Sequence, residues 1–325
     1  MILRTVVIAV VLGAAIIGVL STDLRQFKIH IATWNVNGQY PPEKIDRLLG
    51  LEAIKESGKP DLVIVGIQEI SVSVRDYLSN LVSGNKWSGV ITNTLLEHDY
   101  FKVNSFTMIG IGLYVFALSK HQYALDVTSV EEIKVRTGFG GTLGNKGALV
   151  LNFRWFETDF SVINAHLPAH DDGNAKRIED FKTIDSSRKS SCRKPADFLF
   201  WLGDLNFRLD DLESLDANRI QHMLAKGQSA ALLEKDQLKT AQKEGAAFVG
   251  WAEDEISFKP TFKMVPRTGR FNLKRRPSWT DRILYKSDSL RNITQISYES
   301  LTDYVLSDHT PVIAQFYITL DTDRF

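Results

Sequence analysis

The segment Phe198–Asn206, with the sequence FLFWLGDLN, sets the pattern that recurs along the chain. Its first part, Phe198–Gly203, is apolar and aromatic, which is typical of a buried strand. It ends in Asp204 and Asn206, two polar side chains that a core element does not need. A strand that ends in carboxylate and amide groups indicates a sheet whose edge carries a polar site.

Four more apolar runs lie next to polar clusters of the same kind. These clusters are Asn35–Asn37, Gln68-Glu69, Asn164–His166 and Ser307–His309. A single cluster is most simply a turn, because Asn, Asp and Ser are ordinary turn residues. Five clusters with carboxylates, amides and imidazoles fit one polar cleft at the edge of a sheet better than five independent turns.

Apolar runs and helical periodicity together predict a domain of mixed strands and helices, α/β or α+β. The predicted strands are Lys28–Asn35, Asp61–Gln68, Met108–Leu118, Ala148–Phe153, Phe160–His166, Phe198–Gly203, Arg282–Tyr285 and Val312–Ile318. The predicted helices are Pro42–Ser57, Ser73–Leu81, Asn174–Ile184 and Leu212–Gln228. Residues 26–320 contain no repeat and no long linker, so we expect one catalytic domain, followed by a short tail at 321–325.

Residues 1–25 are predicted to be a membrane or targeting segment. No charged residue occurs between positions 5 and 22, although this length is at the short end of what spans a bilayer, about 20 residues. Cleavage after Ser21 would make it a signal peptide that directs the domain into the secretory pathway. Arg25 and Lys28 follow the segment and favour a cytosolic C-terminal side. We therefore favour an uncleaved anchor and membrane association, with the catalytic domain in the cytosol.

Charge and cysteine content exclude several classes of protein. Lys plus Arg and Asp plus Glu number 39 each, so no global field draws the chain to nucleic acid, and no nucleic-acid partner is expected. The single cysteine, Cys192, can form neither an intramolecular disulfide nor a cysteine-based zinc site.

The residue inventory favours metal-assisted hydrolysis over covalent catalysis. The sequence has no Walker-type P-loop and no Gly-x-Ser-x-Gly elbow. Carboxylates, amides and histidines suit a hard divalent cation with water as the nucleophile. Glu69, at the end of an apolar strand, fits the sparse protein ligation of Mg²⁺. The segment Gly144–Gly147 contains a lysine and two glycines, which lets backbone N–H groups and an ammonium approach a phosphate.

Eight motifs in order resemble the inositol polyphosphate 5-phosphatase catalytic domain of the endonuclease/exonuclease/phosphatase superfamily, over residues 28–318. They are WNVNG at 34–38, QE at 68–69, GNKG at 144–147, NAHLPAH at 164–170, WLGDLNFR at 201–208, PTFK at 260–263, PSWTDRIL at 277–284 and SDHTPV at 307–312. The resemblance implies a DNase I-like four-layer sandwich, in which two mixed β-sheets pack face to face between helices. It also implies Mg²⁺-dependent hydrolysis of the 5-phosphate of phosphoinositides, soluble inositol polyphosphates or both, by in-line attack of water.

The resemblance further implies a role for each matching residue. Glu69 is the expected principal Mg²⁺ ligand, and Asn35, Asn37 and Asp308 lie near the metal. The expected catalytic residues are His166, Asp204, Asn206, Asp281 and His309; Asp281 pairs with His309, and His166 stabilises charge on the phosphoryl oxygens. Asp204 orients or deprotonates the attacking water, although either Asp204 or His309 could be the base. The expected substrate-binding residues are Asn145, Lys146, His170, Lys263, Arg275 and Arg282.

Two departures from the family pattern concern the inositol 4-phosphate. Phe262 stands where the family typically has Tyr, and Leu273 stands where a Lys is common, with Lys274 beside it. Three alternatives to the 5-phosphatase remain at the sequence level: a nuclease of the superfamily, a neutral sphingomyelinase, and a phosphoinositide-binding module without activity.

Overall fold

The computed structural model describes residues 3–7, 20–52, 58–70, 85–138, 146–191, 194–287 and 293–322, with side chains from residue 24 except at 321. The strands are β1 Leu3–Val7, β2 Leu20–Asn35, β3 Leu62–Gln68, β4 Tyr100–Met108, β5 Ile111–Leu118, β6 Leu125–Arg136, β7 Gly147–Trp155, β8 Thr158–His166, β9 Phe198–Asp204, β10 Met264–Val265, β11 Arg270–Phe271, β12 Asp281–Ser287, β13 Ile293–Ser300 and β14 Val312–Asp321. The α-helices are α1 Lys86–Glu97, α2 Asn174–Ser191, α3 Ala217–Ala225, α4 Ser229–Leu233 and α5 Gln237–Lys243.

Within the described ranges, the strands form two large mixed sheets and one small hairpin. The first sheet has the order β13-β14-β2-β3-β5-β4, with β1 also paired to β2, and the second has the order β12-β9-β8-β7-β6. One neighbouring pair in each sheet is parallel, β2 with β3 and β8 with β9, and the other pairs are antiparallel. Strands β10 and β11 form the hairpin.

The alternation of side chains along each strand produces four layers. Along β2, Ile29 and Ile31 pack into the core between the sheets, while Ala32 and Trp34 pack on the outer face against α1. On the other side, α2 and α5 cover the outer face of the second sheet. Because side chains of a strand point to opposite faces in turn, both faces of these central strands are apolar. The predicted four-layer sandwich is confirmed.

The two parallel pairs determine where a site can form. Strand β2 ends at Asn35 beside Gln68 of β3, and β8 ends at His166 beside Asp204 of β9. Gln68 Nε2 donates to Asn164 Oδ1 at 2.7 Å, and this bond joins β3 of the first sheet to β8 of the second. The carboxyl ends of all four strands therefore lie at the same end of the sandwich.

Two predicted helices differ from the structure. In the described part of the first, residues 42–52, the chain forms turns, because Leu49 N bonds to Ile45 O but Gly50 is left-handed, with φ of 70°, and ends the turn. The helix predicted over Leu212–Gln228 is shorter, since the Asp216 side chain accepts from Arg219 N and starts α3 at Ala217. The helix predicted over Ser73–Leu81 lies outside the described residues.

The predicted N-terminal membrane segment lies mostly outside the described residues. The backbone of β1 pairs with residues 20–24 of β2 in an antiparallel ladder. None of the helices in the described ranges has the length and apolar character needed to cross a bilayer.

Buried His30 predicts how stability changes with pH. Burial lowers the pKa of its imidazole to about 4, although Nε2 lies 2.9 Å from Leu48 O, and nearby Lys28 lowers the pKa further. In the unfolded chain this pKa is about 6.5, so the stabilising contribution is complete above that pH and is lost as pH falls towards 4.

We expect the free energy of unfolding of the wild type to fall by about 2 kcal/mol more than that of His30→Gln between pH 7.5 and 5. Urea unfolding of both proteins at the two pH values measures this difference. Equal losses in both proteins would contradict the assignment.

Candidate active site

A cleft of about 200 Å³ opens at the end of the sandwich where the parallel strands finish. Most of the predicted site residues line it: Asn37, Glu69, Lys146, His166, His170, Asp204, Asn206, Lys263, Arg275, Asp308 and His309. Asn35 and Asp281 lie directly behind this wall, where each bonds to a lining residue. Asn145 lies outside the described residues. The structure therefore brings together residues that are far apart in the chain, as in the bond from Trp34 Nε1 to His309 O, which spans 275 positions.

Four cleft residues have left-handed backbone conformations. The φ angles are 46° at Asn37, 54° at Glu69, 74° at His170 and 56° at Asn206. Such φ values are uncommon for residues other than glycine, although Asn tolerates them better than Glu does. Sparsely populated conformations cluster at functional sites, where the surrounding structure holds them. Here they turn the chain sharply just beyond the strand ends and direct polar groups into the cleft.

Asn35 connects the carboxylates of the two sheets. Its Nδ2 donates to Glu69 Oε1 at 3.1 Å and to Asp204 Oδ2 at 3.0 Å, while its Oδ1 accepts from Asn37 N at 3.0 Å. Asn35 is 1% exposed, so its amide is fixed between Glu69 and Asp204. The result is that one amide nitrogen holds the carboxylates of Glu69 and Asp204 close together at the floor of the cleft.

His309 and Asp281 form the predicted pair. His309 Nδ1 lies 2.9 Å from Asp281 Oδ2, an oxygen that also accepts from the hydroxyls of Thr261 and Thr280. Burial alone would lower the pKa of His309, but the charges of Asp281, Asp204 and Asp308 outweigh it and raise this pKa to about 9. The imidazole is therefore protonated at neutral pH, and its Nε2 points towards Asp204, 3.9 Å away.

Asp204 lies between two histidines. Its Oδ2 is 3.2 Å from His166 Nε2, and although burial opposes ionisation, His309, His166 and Lys146 hold the pKa of Asp204 well below its usual range. Burial and Lys146 lower the pKa of His166, so its ring is neutral near pH 7. Nε2 of this neutral ring also contacts Lys146 Nζ. In a neutral imidazole, Nε2 donates to Asp204 if it carries the ring proton and accepts from Lys146 if it does not. The position of this one proton therefore determines which of the two hydrogen bonds forms.

Arg208 is a cleft residue that the sequence analysis did not single out. Its Nη2 donates to Asn206 Oδ1 and its Nε to Asn206 O at 3.1 Å, while the guanidinium lies 4.4 Å from the centre of the Phe262 ring. The Phe262 ring is in turn 4.6 Å from that of His309. The available signal was the position of Arg208 in the motif WLGDLNFR, close in sequence to Asp204 and Asn206.

The Asn206 amide is almost fully used within the protein. Its Oδ1 accepts from Arg208, and Nδ2 donates to Leu167 O at 3.0 Å. One N–H of this amide remains for a ligand.

Cations surround the open side of the cleft. Lys263 Nζ lies 2.7 Å from Asp308 Oδ2, and Arg275 Nη1 lies 3.3 Å from His170 Nδ1. The backbone of His170 is held from below by Arg177, whose Nη1 donates to His170 O at 2.8 Å. With Lys146 and Arg208, these groups suit a ligand that carries several negative charges.

The prediction that Arg282 binds substrate is wrong in this structure. Its side chain is fully buried, with Nη1 3.0 Å from Asp236 and Nη2 2.5 Å from Glu253. Arg282 directly follows Asp281 in β12, and successive side chains of a strand point to opposite faces. Asp281 thus faces His309, and Arg282 faces the buried carboxylates away from the cleft.

The donor atoms at the floor of the cleft fit a hard divalent cation. Carboxylate oxygens are among the ligands that Mg²⁺ and Ca²⁺ prefer, and Glu69 and Asp204 supply them on either side of Asn35 Nδ2. Asp204, Asp281 and His309 also form a compact group whose donor atoms lie within 4.8 Å of one another. The hydrogen bond between His309 and Asp281 largely explains why these three groups lie close together. Glu69, by contrast, faces the cleft, and its side chain is 25% exposed.

The burial of Arg282 predicts a loss of stability on its removal. We expect Arg282→Met to lower the free energy of unfolding by about 3–5 kcal/mol, because two buried carboxylates lose their partner. Arg47→Met is the matched control, since Arg47 pairs with Asp303 and Glu299 at the surface and should change stability by at most about 1 kcal/mol. Chemical denaturation of both variants measures this, and similar small losses would contradict the structural role.

The charge of Asp281 predicts the titration of His309. In Asp281→Asn, we expect the pKa of His309 to fall by at least about one unit, because the negative charge beside the imidazole is lost. NMR titration of histidine side chains in EDTA measures this pKa. Asp308→Asn is the control and should cause a smaller fall, because Asp308 contributes least among the carboxylates that raise the pKa. An equal fall in both variants would contradict the pairing.

Comparison with known proteins identifies relatives of two kinds. Residues 32–315 match the family described as Endonuclease/Exonuclease/phosphatase family 2. Human phosphatidylinositol 4,5-bisphosphate 5-phosphatase A is 34% identical over 313 residues, which cover 90% of this chain and 31% of that protein. The chain thus spans under a third of that relative. The 5-phosphatase domain of SpSynaptojanin was crystallised with inositol (1,4)-bisphosphate and calcium. Its structure matches this chain with a TM-score of 0.78 at 28% sequence identity, and the match covers 93% of this chain and 87% of the SpSynaptojanin chain.

The second kind of relative matches over its whole length. Nitrophorin Cim l NP of Cimex lectularius is 31% identical over 316 residues, covering 96% of this chain and 97% of the nitrophorin. The crystal structure of the Cimex nitrophorin ferrous NO complex matches this chain with a TM-score of 0.73 at 30% sequence identity. The match covers 91% of this chain and 99% of the nitrophorin chain.

Proposed function

We propose that this chain, which belongs to the endonuclease/exonuclease/phosphatase family, hydrolyses the 5-phosphate of phosphoinositides, soluble inositol polyphosphates or both, with Mg²⁺ as its metal ion. The resemblance of its motifs to the inositol polyphosphate 5-phosphatases is confirmed. The observation that carries the proposal is the position of Asp204, an ionised carboxylate between His166 and protonated His309, beside Glu69 in a cleft lined with cations.

The positively and negatively charged side chains of the cleft have different proposed roles. Lys146, Arg208, Lys263 and Arg275 suit the phosphates of a substrate, since charge-assisted hydrogen bonds to phosphate are strong. Glu69 would be the principal ligand of Mg²⁺, with Asn35, Asn37 and Asp308 near the metal and Asp204 beside it. When bound, the cation would stabilise negative charge on the reacting phosphate.

The protonation states favour different roles for Asp204 and His309. His309, protonated at neutral pH, has no free site to accept a proton and is suited to donate to a phosphoryl oxygen. Asp204 is ionised and accepts hydrogen bonds, so it can orient a water molecule for in-line attack on phosphorus. Its depressed pKa makes it a weak base, which favours orientation of the water over full removal of its proton.

The substrate class is inferred from the arrangement of cations and from the relatives. SpSynaptojanin was crystallised with an inositol bisphosphate that carries phosphates at positions 1 and 4. In this chain, Lys263 and Arg275 are the groups that we assign to a phosphate neighbouring the one removed. Phe262 contributes a ring face and no hydroxyl, so this neighbouring phosphate has one hydrogen-bond donor fewer than a Tyr would supply.

Phosphate release tests the proposal. We expect the purified protein to release phosphate from 5-phosphorylated phosphoinositides or inositol phosphates with Mg²⁺ and not with EDTA. Glu69→Gln and Asp204→Asn should each lower turnover by at least about a hundredfold, because each removes charge from the reacting centre. Asp172→Asn, at an exposed position near the cleft, is the control and should retain activity. Unchanged turnover in Glu69→Gln or Asp204→Asn would refute the site.

The whole-length match to a nitrophorin supports one alternative, a protein that binds NO at a ferrous centre without hydrolysis. An iron centre such as haem needs a protein ligand. The binding of NO does not by itself require an Asp between two histidines in a cationic cleft. Absorption spectra after addition of haemin, dithionite and NO distinguish the two functions. We expect no stoichiometric complex; a complex combined with no phosphate release would replace the phosphatase proposal.

The cellular location remains a prediction from the sequence. We propose that residues 1–25 anchor the chain and that the cleft faces the cytosol, where its substrates would be expected. Protease treatment of sealed microsomes tests this orientation. Digestion of the catalytic domain is the expected result, and its protection would contradict the proposal.

A further inference from the structure

We propose that residues 256–280, which include the β10–β11 hairpin and are called here the cationic hairpin, dock the protein onto an anionic lipid bilayer. The choice of a bilayer over other polyanions rests on the proposed function. The surface itself is inferred from charge, burial and position.

The cationic hairpin carries a local charge that the whole chain lacks. Residues 256–280 contain seven Lys and Arg and no Asp or Glu, in a chain with 39 of each sign. The seven cations are Lys259, Lys263, Arg267, Arg270, Lys274, Arg275 and Arg276. A cluster of this size matches the polybasic segments that bind anionic lipid headgroups.

More than half of these cations are not used inside the protein. Lys263 pairs with Asp308, Arg275 contacts His170, and Arg276 binds Asp171 and three backbone carbonyls. The other four, Lys259, Arg267, Arg270 and Lys274, are exposed and have no acidic partner among the described residues. They are therefore available to an external anion.

Apolar side chains accompany these free cations. Beside the hairpin lies a groove of about 850 Å³, whose apolar lining includes Phe258, Pro260, Met264, Val265, Phe271 and Val305. Lys259 and Arg270 are also part of its lining. The carboxylate of the groove, Glu299, is paired with Arg47 at 3.5 Å. Half-buried apolar groups beside cations are typical of surfaces that enter the lipid headgroup region.

The hairpin is joined to the cleft at both of its ends. Lys263 precedes β10 and Arg275 follows β11, and both line the cleft. The hairpin also packs along the segment before His309, since Met264 N donates to Asp308 O and Arg267 N to Val305 O. A bilayer bound by the hairpin would thus lie beside the cleft opening, where a lipid headgroup could enter.

The limited extent of the charge favours a bilayer over a nucleic acid. Two exposed carboxylates, Asp254 and Glu255, directly precede the hairpin and end the cationic surface. A nucleic acid needs a longer cationic track along its phosphates, usually with exposed aromatic rings for stacking. Within the hairpin, Phe258 and Phe271 are only partly exposed and lie against the core.

Vesicle sedimentation of the full chain tests this inference. The vesicles are phosphatidylcholine alone, or phosphatidylcholine with 30% phosphatidylserine, and contain no phosphoinositide. The variant Arg267→Glu/Arg270→Glu reverses two free cations that we assign no role in the cleft. Its matched control is Lys102→Glu/Lys182→Glu. Both control residues are exposed, and they lie on β4 and α2, outside the hairpin and the cleft.

We expect the wild type and the control to prefer the phosphatidylserine vesicles, and this preference to weaken with added salt. The hairpin variant should bind these vesicles at least about 25-fold more weakly, from about fivefold for each cation. Binding to phosphatidylcholine alone measures any contribution of the apolar N-terminal segment and should be equal in all three proteins.

Two results would overturn the inference: no preference for phosphatidylserine in the wild type, or equal losses in both variants. Loss of duplex DNA binding in the hairpin variant, with vesicle binding unchanged, would instead identify a nucleic-acid surface. Phosphate release from soluble inositol phosphates and from water-soluble short-chain phosphoinositides by the same proteins separates the two proposals. Lipid binding without release from either kind of substrate would refute the phosphatase proposal only, and release without lipid preference would refute only the docking surface.

Discussion

The site depends on two parallel strand pairings, β2 with β3 and β8 with β9, one in each sheet. Each pairing aligns two carboxyl ends, and face-to-face packing places both pairs at the same end of the sandwich. Gly66 makes this close packing possible, because a Cβ there would lie 2.7 Å from Asn164, the residue that accepts from Gln68 of the opposite sheet. The bond from Asn35 to Asp204 then joins the two sheets at the cleft floor.

This arrangement buries several charged side chains next to one another, although each of them would be unfavourable if it were buried alone. Buried carboxylates are costly unless they are paired and hydrogen-bonded. Here His309 compensates both Asp281 and Asp204, and neutral His166 completes the surroundings of Asp204. The cations near the site lie at the rim of the cleft and on the cationic hairpin. The same polarity, with negative charge at the floor and positive charge around the opening, suits a phosphate ligand that approaches a bound metal ion.

The positions of polar side chains could be predicted from the sequence where these side chains directly follow an apolar strand. The ends at Asn35, Gln68, His166 and Asp204 were predicted, because apolar runs stop there at polar side chains. Strands β4, β6 and β13 were missed, since their exposed faces carry many polar residues and they lack a continuous apolar run. Arg282 was assigned to the substrate from its match to the family motif, but the direction of a side chain in a strand depends on register, which needs the tertiary structure. Arg208 was missed because its contact with the Phe262 ring joins distant segments of the chain.

The central claim is that this cleft directs water to the phosphorus atom of an inositol phosphate. Hydrolysis in ¹⁸O-labelled water, followed by mass spectrometry of both products, tests it most directly. The account predicts one ¹⁸O atom in the released inorganic phosphate and none in the inositol product. Label in the inositol, or no phosphate released from any 5-phosphorylated substrate in the presence of Mg²⁺, would contradict it.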